Sequence, residues 1–104
     1  MPVNEINGRA VHVDDDGFMT VYEEWDEDLA KVLAANIGID LTDAHWKLIR
    51  FLRADYLDKG ETPTTRRVQT VGGVLVKEQF ALFPKKPGKK SAYIAGLTKP
   101  HGCV

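Results

Sequence analysis

The apolar residues of this 104-residue chain change their spacing once, near Trp25. Before that residue, short runs of alternating residues flank Asn7-Gly8, a dipeptide that favours the type I′ turn of a β-hairpin. After it, apolar residues recur at the three- and four-residue spacing of amphipathic helices, and glycine and proline separate one such stretch from the next. The sequence therefore predicts a mainly α fold of the α+β class, a compact helical bundle with a small N-terminal β-hairpin.

Two helices are predicted between Trp25 and Gly60. The first begins near Trp25, has acidic residues in its first turn, where the helix dipole favours them, and ends at Gly38. The second follows Thr42, a residue suited to an N-cap, and ends at Gly60. Its apolar residues cover more than one stripe, so we expect the second helix to be the central one, packed on more than one side.

Two shorter helices are predicted on either side of Gly72-Gly73. The third is expected to begin with Thr62 as its cap and Pro63 at its first position, where the missing N–H of proline costs nothing. The fourth is expected to run over residues 74–83, and the proline that follows would end it. Together they form a helix-turn-helix-like pair.

A helix-turn-helix is a common layout of DNA-binding proteins, so the pair suggests one possible function. Arg66 and Arg67 lie on its first helix and Lys77 on its second. The second helix is otherwise mostly apolar, and the charge of Lys77 is offset by that of Glu78. Such a helix is poorly suited to bind DNA in a sequence-specific way. A DNA- or RNA-binding regulator therefore stays open as an alternative function.

The chain beyond Pro84 is predicted to be a basic hinge followed by an arm. The hinge contains Lys85, Lys86, Lys89 and Lys90, which we expect to dock an acidic partner or RNA phosphates. Residues 91–95 are expected to form one helical turn. The remaining residues include two glycines and a proline, which predicts an extended, mobile C-terminal arm.

A chain of this length has room for one domain. We predict a single domain over residues 1–104, with a β-hairpin region at 1–22, a helical core at 23–84, and the basic hinge and arm at 85–104. No apolar stretch approaches the roughly 18 residues that span a bilayer, and the N-terminus lacks the pattern of a secretory signal. These features predict a cytoplasmic protein that has no membrane partner.

Charge is divided unevenly along the chain. Residues 1–61 carry 14 acids and 6 bases, a net charge of −8, whereas residues 62–104 carry 8 bases and one acid, a net charge of +7. Such a division suggests an acidic or polyanionic partner for the basic half. The alternative is that the two halves fold against each other and their charges compensate. The sequence leaves both interpretations open.

Cys103 is the only cysteine, so the chain cannot form an intramolecular disulfide. Lys99 and His101 would favour its reactive thiolate form, whereas the terminal carboxylate would oppose it. Gly102 has no side chain to obstruct a partner. An arm that starts at Gly96 would carry the sulfur about 20 Å from its base. These residues alone leave two interpretations, an incidental thiol or a reactive thiol that enters another protein's active site.

The sequence contains no pattern typical of a metal, cofactor or hydrolase site. His101 and Cys103 lack the further ligands that a zinc site needs. A glycine-rich phosphate loop, a dinucleotide fingerprint and a Ser/His/Asp order are absent as well. We therefore expect no metal and no cofactor.

Several fragments resemble the DsrC/TusE family of sulfur-carrier proteins. The last eleven residues, Ile-Ala-Gly-Leu-Thr-Lys-Pro-His-Gly-Cys-Val, are similar to the family's C-terminal arm, which typically ends in Ala-Gly-Leu-Pro-Lys-Pro-x-Gly-Cys-Val. Shorter fragments recur in the family's order over nearly the whole chain: Asp16-Gly17-Phe18, Trp25, Leu41-Thr42-x-x-His45-Trp46, Phe51-Leu52-Arg53, Pro63-x-x-Arg66 and Leu82-Phe83-Pro84-x-x-Pro87. With the penultimate cysteine, this set of fragments is identified as that of a family member.

The resemblance implies a sulfur-relay carrier that is not an enzyme by itself. Family members hold sulfur as a persulfide on the penultimate cysteine, here Cys103, after receiving it from a DsrE/TusD-type donor complex. In the TusE branch the sulfur passes on to a tRNA 2-thiouridylase. In the DsrC branch the protein is the gamma subunit that serves dissimilatory sulfite reductase. Lys99, Pro100, His101 and Gly102 are the neighbouring arm residues expected to contact partners.

Two positions depart from the family pattern. Ala92 occupies the position at which the DsrC branch has a second cysteine. Without that thiol the resemblance implies a one-thiol carrier, in which donor and acceptor exchange sulfur with Cys103 alone. Thr98 replaces a proline of the family, which implies a looser arm. The alternative within the family is a DsrC-like role in sulfite reduction or sulfur oxidation by a modified mechanism.

Overall fold

A computed structural model describes residues 3–6 and 8–100 of the chain. Its elements, in chain order, are β1 (Val3–Ile6), β2 (Arg9–His12), a 3-10 helix (Tyr22–Glu24), α1 (Glu27–Asn36), α2 (Asp43–Lys59), α3 (Thr65–Thr70), α4 (Val76–Leu82) and α5 (Pro87–Ile94). Five helices and one two-stranded antiparallel sheet among the described residues confirm the predicted fold class.

The N-terminal hairpin has the predicted position. Strands β1 and β2 pair from Val3 opposite His12 to Ile6 opposite Arg9. Gly8 follows β1 with a φ of 76°, a left-handed conformation that glycine adopts without steric cost. A tight turn between the strands is therefore possible at this point of the chain.

Ion pairs connect the hairpin to the start of α1. The Arg9 guanidinium donates to both carboxylate oxygens of Asp26, at 2.9 and 3.0 Å. The backbone N–H of His12 donates to Glu24 at 2.8 Å, and His12 Nδ1 lies 2.7 Å from the other oxygen of that carboxylate. Asp26 also caps α1 by accepting from the N–H of Leu29 at 2.8 Å. Asp26 thus caps the first helix near its predicted start and also binds Arg9 of the hairpin.

Helix α2 begins after Thr42 and ends at Gly60, as predicted. The backbone N–H of Thr42 donates to Nδ1 of His45 at 3.1 Å, which closes the first turn. His45 is buried, and its Nε2 lies 2.8 Å from the carbonyl oxygen of Leu82 at the end of α4. A capping residue therefore also joins two helices.

The predicted start of α3 is wrong by two residues. The helix begins at Thr65, and its cap is Thr64, whose Oγ1 accepts from the N–H of Arg67 at 3.2 Å. Thr62, the predicted cap, is only 3% exposed and donates instead to the carbonyl oxygen of Thr98 at 2.7 Å. The Thr62 hydroxyl is therefore used in a tertiary hydrogen bond to a residue 36 positions later and does not cap the helix.

The predicted basic hinge is wrong for most of its length, because residues 87–94 form α5. Pro87 occupies the first helical position, which suits proline. The buried side of the helix consists of Pro87, Gly88, Ser91, Ala92 and Ile94. Helix α5 packs against α1, α2 and α4, so it shares the centre of the fold with α2. The local sequence at the start of α5 is rich in lysine and typical of a linker, but burial of this face stabilises it as a helix.

The core is one cluster of buried apolar residues drawn from the hairpin, the helices and the segment after α5. Its fully buried members include Val11, Leu29, Leu52, Phe83 and Ile94. Within residues 3–6 and 8–100, no helix is long and apolar enough to cross a membrane.

Candidate functional site

The candidate site is the segment that carries the chain out of α5 towards Cys103, and we call residues 94–100 the arm base. Ala95, Gly96, Leu97 and Pro100 are buried. The arm predicted to leave the body at Gly96 therefore stays against it through Pro100. His101, Gly102 and Cys103 lie outside the described residues.

Trp25 holds the first residues of the arm base. Its indole Nε1 donates to the carbonyl oxygen of Ile94 at 2.8 Å. Gly96 crosses the same ring with a φ of 70°, and a Cβ at this position would lie 2.4 Å from Trp25 Cδ1. Only glycine fits this backbone conformation and this approach to the indole.

Arg53 on α2 connects the arm base to the ring of Trp25. Its guanidinium carbon lies 4.0 Å from the Trp25 ring centroid and 3.8 Å from that of Tyr22, which is cation–π geometry. Nη1 donates to the carbonyl oxygen of Ala95 at 2.7 Å, and Nη2 donates to that of Tyr22 at 3.0 Å. Burial lowers the pKa of Arg53, but an arginine starts so high that it keeps its charge at neutral pH.

Tyr22 is fixed in turn by its own neighbours. It stacks on Tyr56 with ring centroids 5.6 Å apart and an interplanar angle of 10°. Its hydroxyl donates to the carbonyl oxygen of Arg53 at 3.2 Å. The side chain of each residue thus donates to the backbone carbonyl of the other, and the two bonds together hold both side chains in place.

The far end of the arm base has two more attachments. Thr62 donates to the carbonyl oxygen of Thr98, as described above. Lys99 forms an ion pair with Asp16, in the turn that follows β2. The hydrogen bond from Lys99 lowers the pKa of the Asp16 carboxyl, and the same bond raises the pKa of Lys99. Both side chains are solvent-exposed, so this pair is weaker than its geometry suggests.

These attachments shorten the reach predicted for the cysteine. Pro100 is the last described residue and is buried. Cys103 lies three residues further along, so its backbone can extend about 10 Å from Pro100 at about 3.3 Å per residue. The reach of about 20 Å predicted from the sequence assumes that the arm is free from Gly96 onwards. It is an overestimate while the arm base stays docked.

The predicted lysine contacts divide into two groups. Lys86, Lys89 and Lys90 line one surface groove at the start of α5. Lys85 is exposed in the preceding loop, where its φ is 75°. Arg66, on α3, is exposed and is not among the residues that line this groove. The structure therefore brings three of the four hinge lysines together and leaves Arg66 apart.

The pair formed by α3 and α4 is held together by glutamine side chains. Gln79 is 2% exposed and donates to the carbonyl oxygens of Thr65 at 3.0 Å and Val74 at 2.9 Å. Gln69 accepts from the N–H of Val76 at 2.8 Å. These contacts explain why two short helices stay side by side.

The same pair offers little to DNA. Arg67 donates through Nε and Nη2 to the two oxygens of Asp55, both at 2.7 Å. This bond lowers the pKa of Asp55, and the arginine is occupied within the fold. Arg66 and Lys77 remain as exposed bases, with Glu78 beside the lysine. The structure does not favour a nucleic-acid reader here.

Sequence reasoning missed the residues that hold the arm base. The sequence marks Trp25 only as the point where the apolar spacing changes and as part of a family fragment, Arg53 and Asp16 only as parts of family fragments, and Thr62 only as a helix cap. Spacing could not reveal them, because their partners are backbone atoms 36 to 69 residues away for Thr62, Arg53 and Trp25. The recurrence of Trp25 and Phe51-Leu52-Arg53 in one family order was the available indication. Among the described residues, no group of three or more His, Cys, Asp or Glu could hold a metal.

Comparison with known proteins agrees with this geometry. A family model described as DsrC like protein matches residues 5–104. The chain belongs to the DsrC-like family. Sulfurtransferase TusE of Sodalis glossinidius (strain morsitans) is 37% identical to this DsrC-like chain over 107 residues, which covers 96% of the chain and 99% of the relative.

Solved structures resemble the DsrC-like chain over its length. The crystal structure of dissimilatory sulfite reductase I (DsrI) has a TM-score of 0.83 and 38% identity, with 99% of this chain and 100% of that chain covered. The oxidized gamma subunit of the dissimilatory sulfite reductase (DsrC) from Archaeoglobus fulgidus has a TM-score of 0.78 and 38% identity, with the same coverage. The predicted family membership is confirmed.

One departure of this DsrC-like chain has a clear structural setting. Ala92, which stands at the position of the second cysteine of the DsrC branch, is fully buried on α5. The whole sequence contains one cysteine. Core packing therefore occupies the position at which, by the family resemblance, a second thiol would stand.

Proposed function

We propose that the chain is a sulfur-relay carrier that accepts sulfur as a persulfide on Cys103 and passes it to an acceptor protein. The observation that carries the proposal is the position of its only cysteine, three residues beyond a docked arm base in a DsrC-like chain. A thiol three residues beyond a docked segment can be reached by a protein that also contacts that segment.

The chemistry is two exchange reactions. The Cys103 thiolate attacks the outer sulfur of a donor persulfide, forms a new S–S bond, and releases the donor cysteine as a thiolate. An acceptor thiolate then attacks the outer sulfur of the Cys103 persulfide and releases the Cys103 thiolate. No electrons are gained or lost overall, so the carrier needs no cofactor and is not an enzyme by itself.

The neighbouring residues have roles consistent with this exchange. Lys99 and His101 would stabilise anionic sulfur near Cys103, and Gly102 would leave the thiolate open to a partner. Pro100 would keep the departure point of the last residues fixed. Lys99 is shared with Asp16, so a partner that displaces this carboxylate would turn the lysine towards the thiol.

We further propose that the donor is a DsrE/TusD-type complex, that the acceptor leads to a tRNA 2-thiouridylase, and that the exchange takes place in the cytoplasm. The identity to proteins named Sulfurtransferase TusE supports this branch. A sulfite-reductase cycle that uses two thiols of one arm cannot run here, because the chain has a single cysteine.

Intact-mass measurement tests the proposal. The chain is incubated with glutathione persulfide, and we expect a mass gain of one sulfur that disappears on treatment with a reducing thiol. Cys103→Ala should show no gain, while its fold, followed by circular dichroism, should be unchanged. A wild-type chain that takes up no sulfur, or a Cys103→Ala variant that still does, would contradict the assignment.

A further inference from the structure

A groove of about 280 Å³ opens where the turn after β2, the end of α1 and the start of α5 meet. Three lysines line it, Lys86, Lys89 and Lys90, together with the apolar side chains of Phe18, Ile37 and Tyr93. Its volume lies just below the roughly 300–1,000 Å³ of pockets that take small molecules. One or two side chains of a peptide match a groove of this size.

Three of the residues that line the groove are lysines, and Asp16 is the acidic one. The hydrogen bond from Lys99 is the main cause that lowers the pKa of the Asp16 carboxyl, and Lys89 is near enough to help lower it. Within the described residues, no carboxylate lies at ion-pair distance from Lys86, Lys89 or Lys90. All three stand at the N-terminal end of α5, where the helix dipole already presents positive charge. This placement is unfavourable for the isolated helix, and an anionic partner would relieve it.

The apolar side chains favour a peptide over a nucleic acid. Phe18 and Tyr93 meet in a T-shaped arrangement with centroids 6.2 Å apart, and Phe18 is only 7% exposed, so little of its ring is open for a base to stack on. Asp16 also lines the groove, and Asp14 and Asp15 precede it. A phosphate backbone would meet these carboxylates, whereas a peptide can place its acids on the lysine side alone.

The groove is connected to the arm base. Asp16 contributes to its lining and forms the ion pair with Lys99, four residues before Cys103. A segment bound in the groove would therefore lie near the departure point of the residues that carry the thiol.

We propose that this lysine groove binds an acidic segment of a partner protein, with one apolar side chain of that segment seated against Phe18, Ile37 and Tyr93. That the partner is a donor or acceptor of the relay rests on the function proposed above. The lysines supply attraction and fast association, and the apolar contact supplies selection among acidic partners.

A selection experiment tests the proposed ligand chemistry. Phage displaying random peptides of about a dozen residues are selected on the full chain and counter-selected on Lys86→Glu/Lys90→Glu. We expect the enriched peptides to combine several Asp or Glu residues with one aliphatic or aromatic residue. Enrichment of basic peptides, or of acidic peptides with no preference for an apolar residue, would overturn the proposal.

Fluorescence anisotropy with the best labelled peptide then provides the quantitative test. The dissociation constant should rise about tenfold in Lys86→Glu/Lys90→Glu, a change of about 1.4 kcal/mol. It should change less than twofold in Lys47→Glu/Lys77→Glu, which alters the net charge equally at exposed positions outside the groove. Equal weakening by both variants, or tighter binding of a single-stranded RNA of the same charge through the same lysines, would contradict the assignment.

Two further readouts separate this inference from the proposed function. Cys103→Ala should bind the peptide as wild type does, because the thiol takes no part in docking. The groove variant should still gain one sulfur from glutathione persulfide, because this small donor needs no docking surface. A wild-type chain that takes up sulfur but shows no selectivity for such peptides would overturn the groove alone. A wild-type chain that selects these peptides but takes up no sulfur would overturn the carrier alone.

Discussion

At the scale of single residues, the fold of the arm base depends on side chains that recognise backbone atoms. Trp25 and Arg53 donate to the carbonyl oxygens of Ile94 and Ala95, and Gly96 lies directly on the indole. A buried carbonyl without a donor costs about 1–3 kcal/mol, so these contacts make an irregular segment stable against the body. The cation–π contacts of Arg53 with Tyr22 and Trp25 hold its guanidinium where it donates to the carbonyl oxygens of Ala95 and Tyr22.

Gly96→Ala tests this arrangement. The substitution combines a left-handed φ, which costs about 1–2 kcal/mol for a residue with a Cβ, with overlap against Trp25, which costs about 1–3 kcal/mol. We expect the free energy of unfolding, measured by urea denaturation, to fall by about 2–5 kcal/mol.

Gly73→Ala is the matched control. Gly73 has a φ of 74°, but a Cβ there would meet nothing within 4 Å. The free energy of unfolding of Gly73→Ala should therefore fall only by the backbone cost of about 1–2 kcal/mol. Equal losses in the two variants would show that the contact between Gly96 and Trp25 contributes nothing.

Local sequence predicts these residues unevenly. The cap of α2 and the glycines that end or bend the chain follow from local chemistry, so the sequence predicts the roles of Thr42, Gly60 and Gly8. Thr62 is a sound helix cap by the same rules, but its hydroxyl is used by Thr98. A competing long-range partner cannot be inferred from one sequence without knowledge of which segments meet.

At the scale of elements, the short helices depend on burial and on side-chain hydrogen bonds. Helix α5 has eight residues, too few for stability in isolation, and its first turn carries lysines that its dipole disfavours. It forms because its apolar face packs against three other helices. Local composition indicates a linker at this point, which is why the prediction of a hinge was wrong although Pro87 offered a helix start.

Gln79→Leu tests what holds α3 to α4. The substitution keeps the volume but removes the buried donor to the carbonyl oxygens of Thr65 and Val74. We expect the free energy of unfolding to fall by about 1–3 kcal/mol. Hydrogen exchange should increase at the amides of both helices.

Glu78→Leu provides the comparison for that variant. Glu78 is the neighbouring residue on α4 and is exposed, so its replacement should change stability by less than about 0.5 kcal/mol. If the two leucine variants lose the same stability, the glutamine is not the connection between these helices.

At the scale of the whole molecule, the charge division of the sequence is partly compensated by folding. The acidic half meets the basic half in the pairs Asp55–Arg67 and Asp16–Lys99. The lysines of the groove remain outside such pairs among the described residues. Compensation between the two halves is thus confirmed for these two pairs, whereas an acidic partner for the groove lysines stays a prediction.

The buried pair makes stability depend on pH. Arg67 lowers the pKa of Asp55 in the folded state, so the unfolded chain binds protons first as the pH falls. The contribution of the pair is complete above the unfolded value of about 4 and is lost as the pH falls through the folded value. Asp55→Asn should cost about 2 kcal/mol at neutral pH, and its deficit relative to wild type should shrink below about pH 4.

Urea denaturation at a series of pH values measures this difference. Asp58→Asn serves as the control, because Asp58 is 72% exposed, forms an ion pair with Lys59 at 3.5 Å and acts on Arg67 only through a charge interaction without a hydrogen bond among the described residues. Its profile should run parallel to that of wild type. A deficit of Asp55→Asn that stays constant with pH would show that the arginine contact does not depend on the charge of Asp55.

The docking of the chain through Pro100 has a consequence for which proteins it can serve. Cys103 is the third residue after Pro100, so its backbone can extend only about 10 Å from the docked segment. A partner must therefore bring its own reactive sulfur close to its surface, or else peel residues 94–100 away from Trp25 and Thr62 at the expense of their hydrogen bonds. The depth of the reactive sulfur below the partner's surface therefore selects among partners. A sulfur near the surface can be reached while residues 94–100 stay docked. A deeply buried one can be reached only if the partner binds tightly enough to detach those residues.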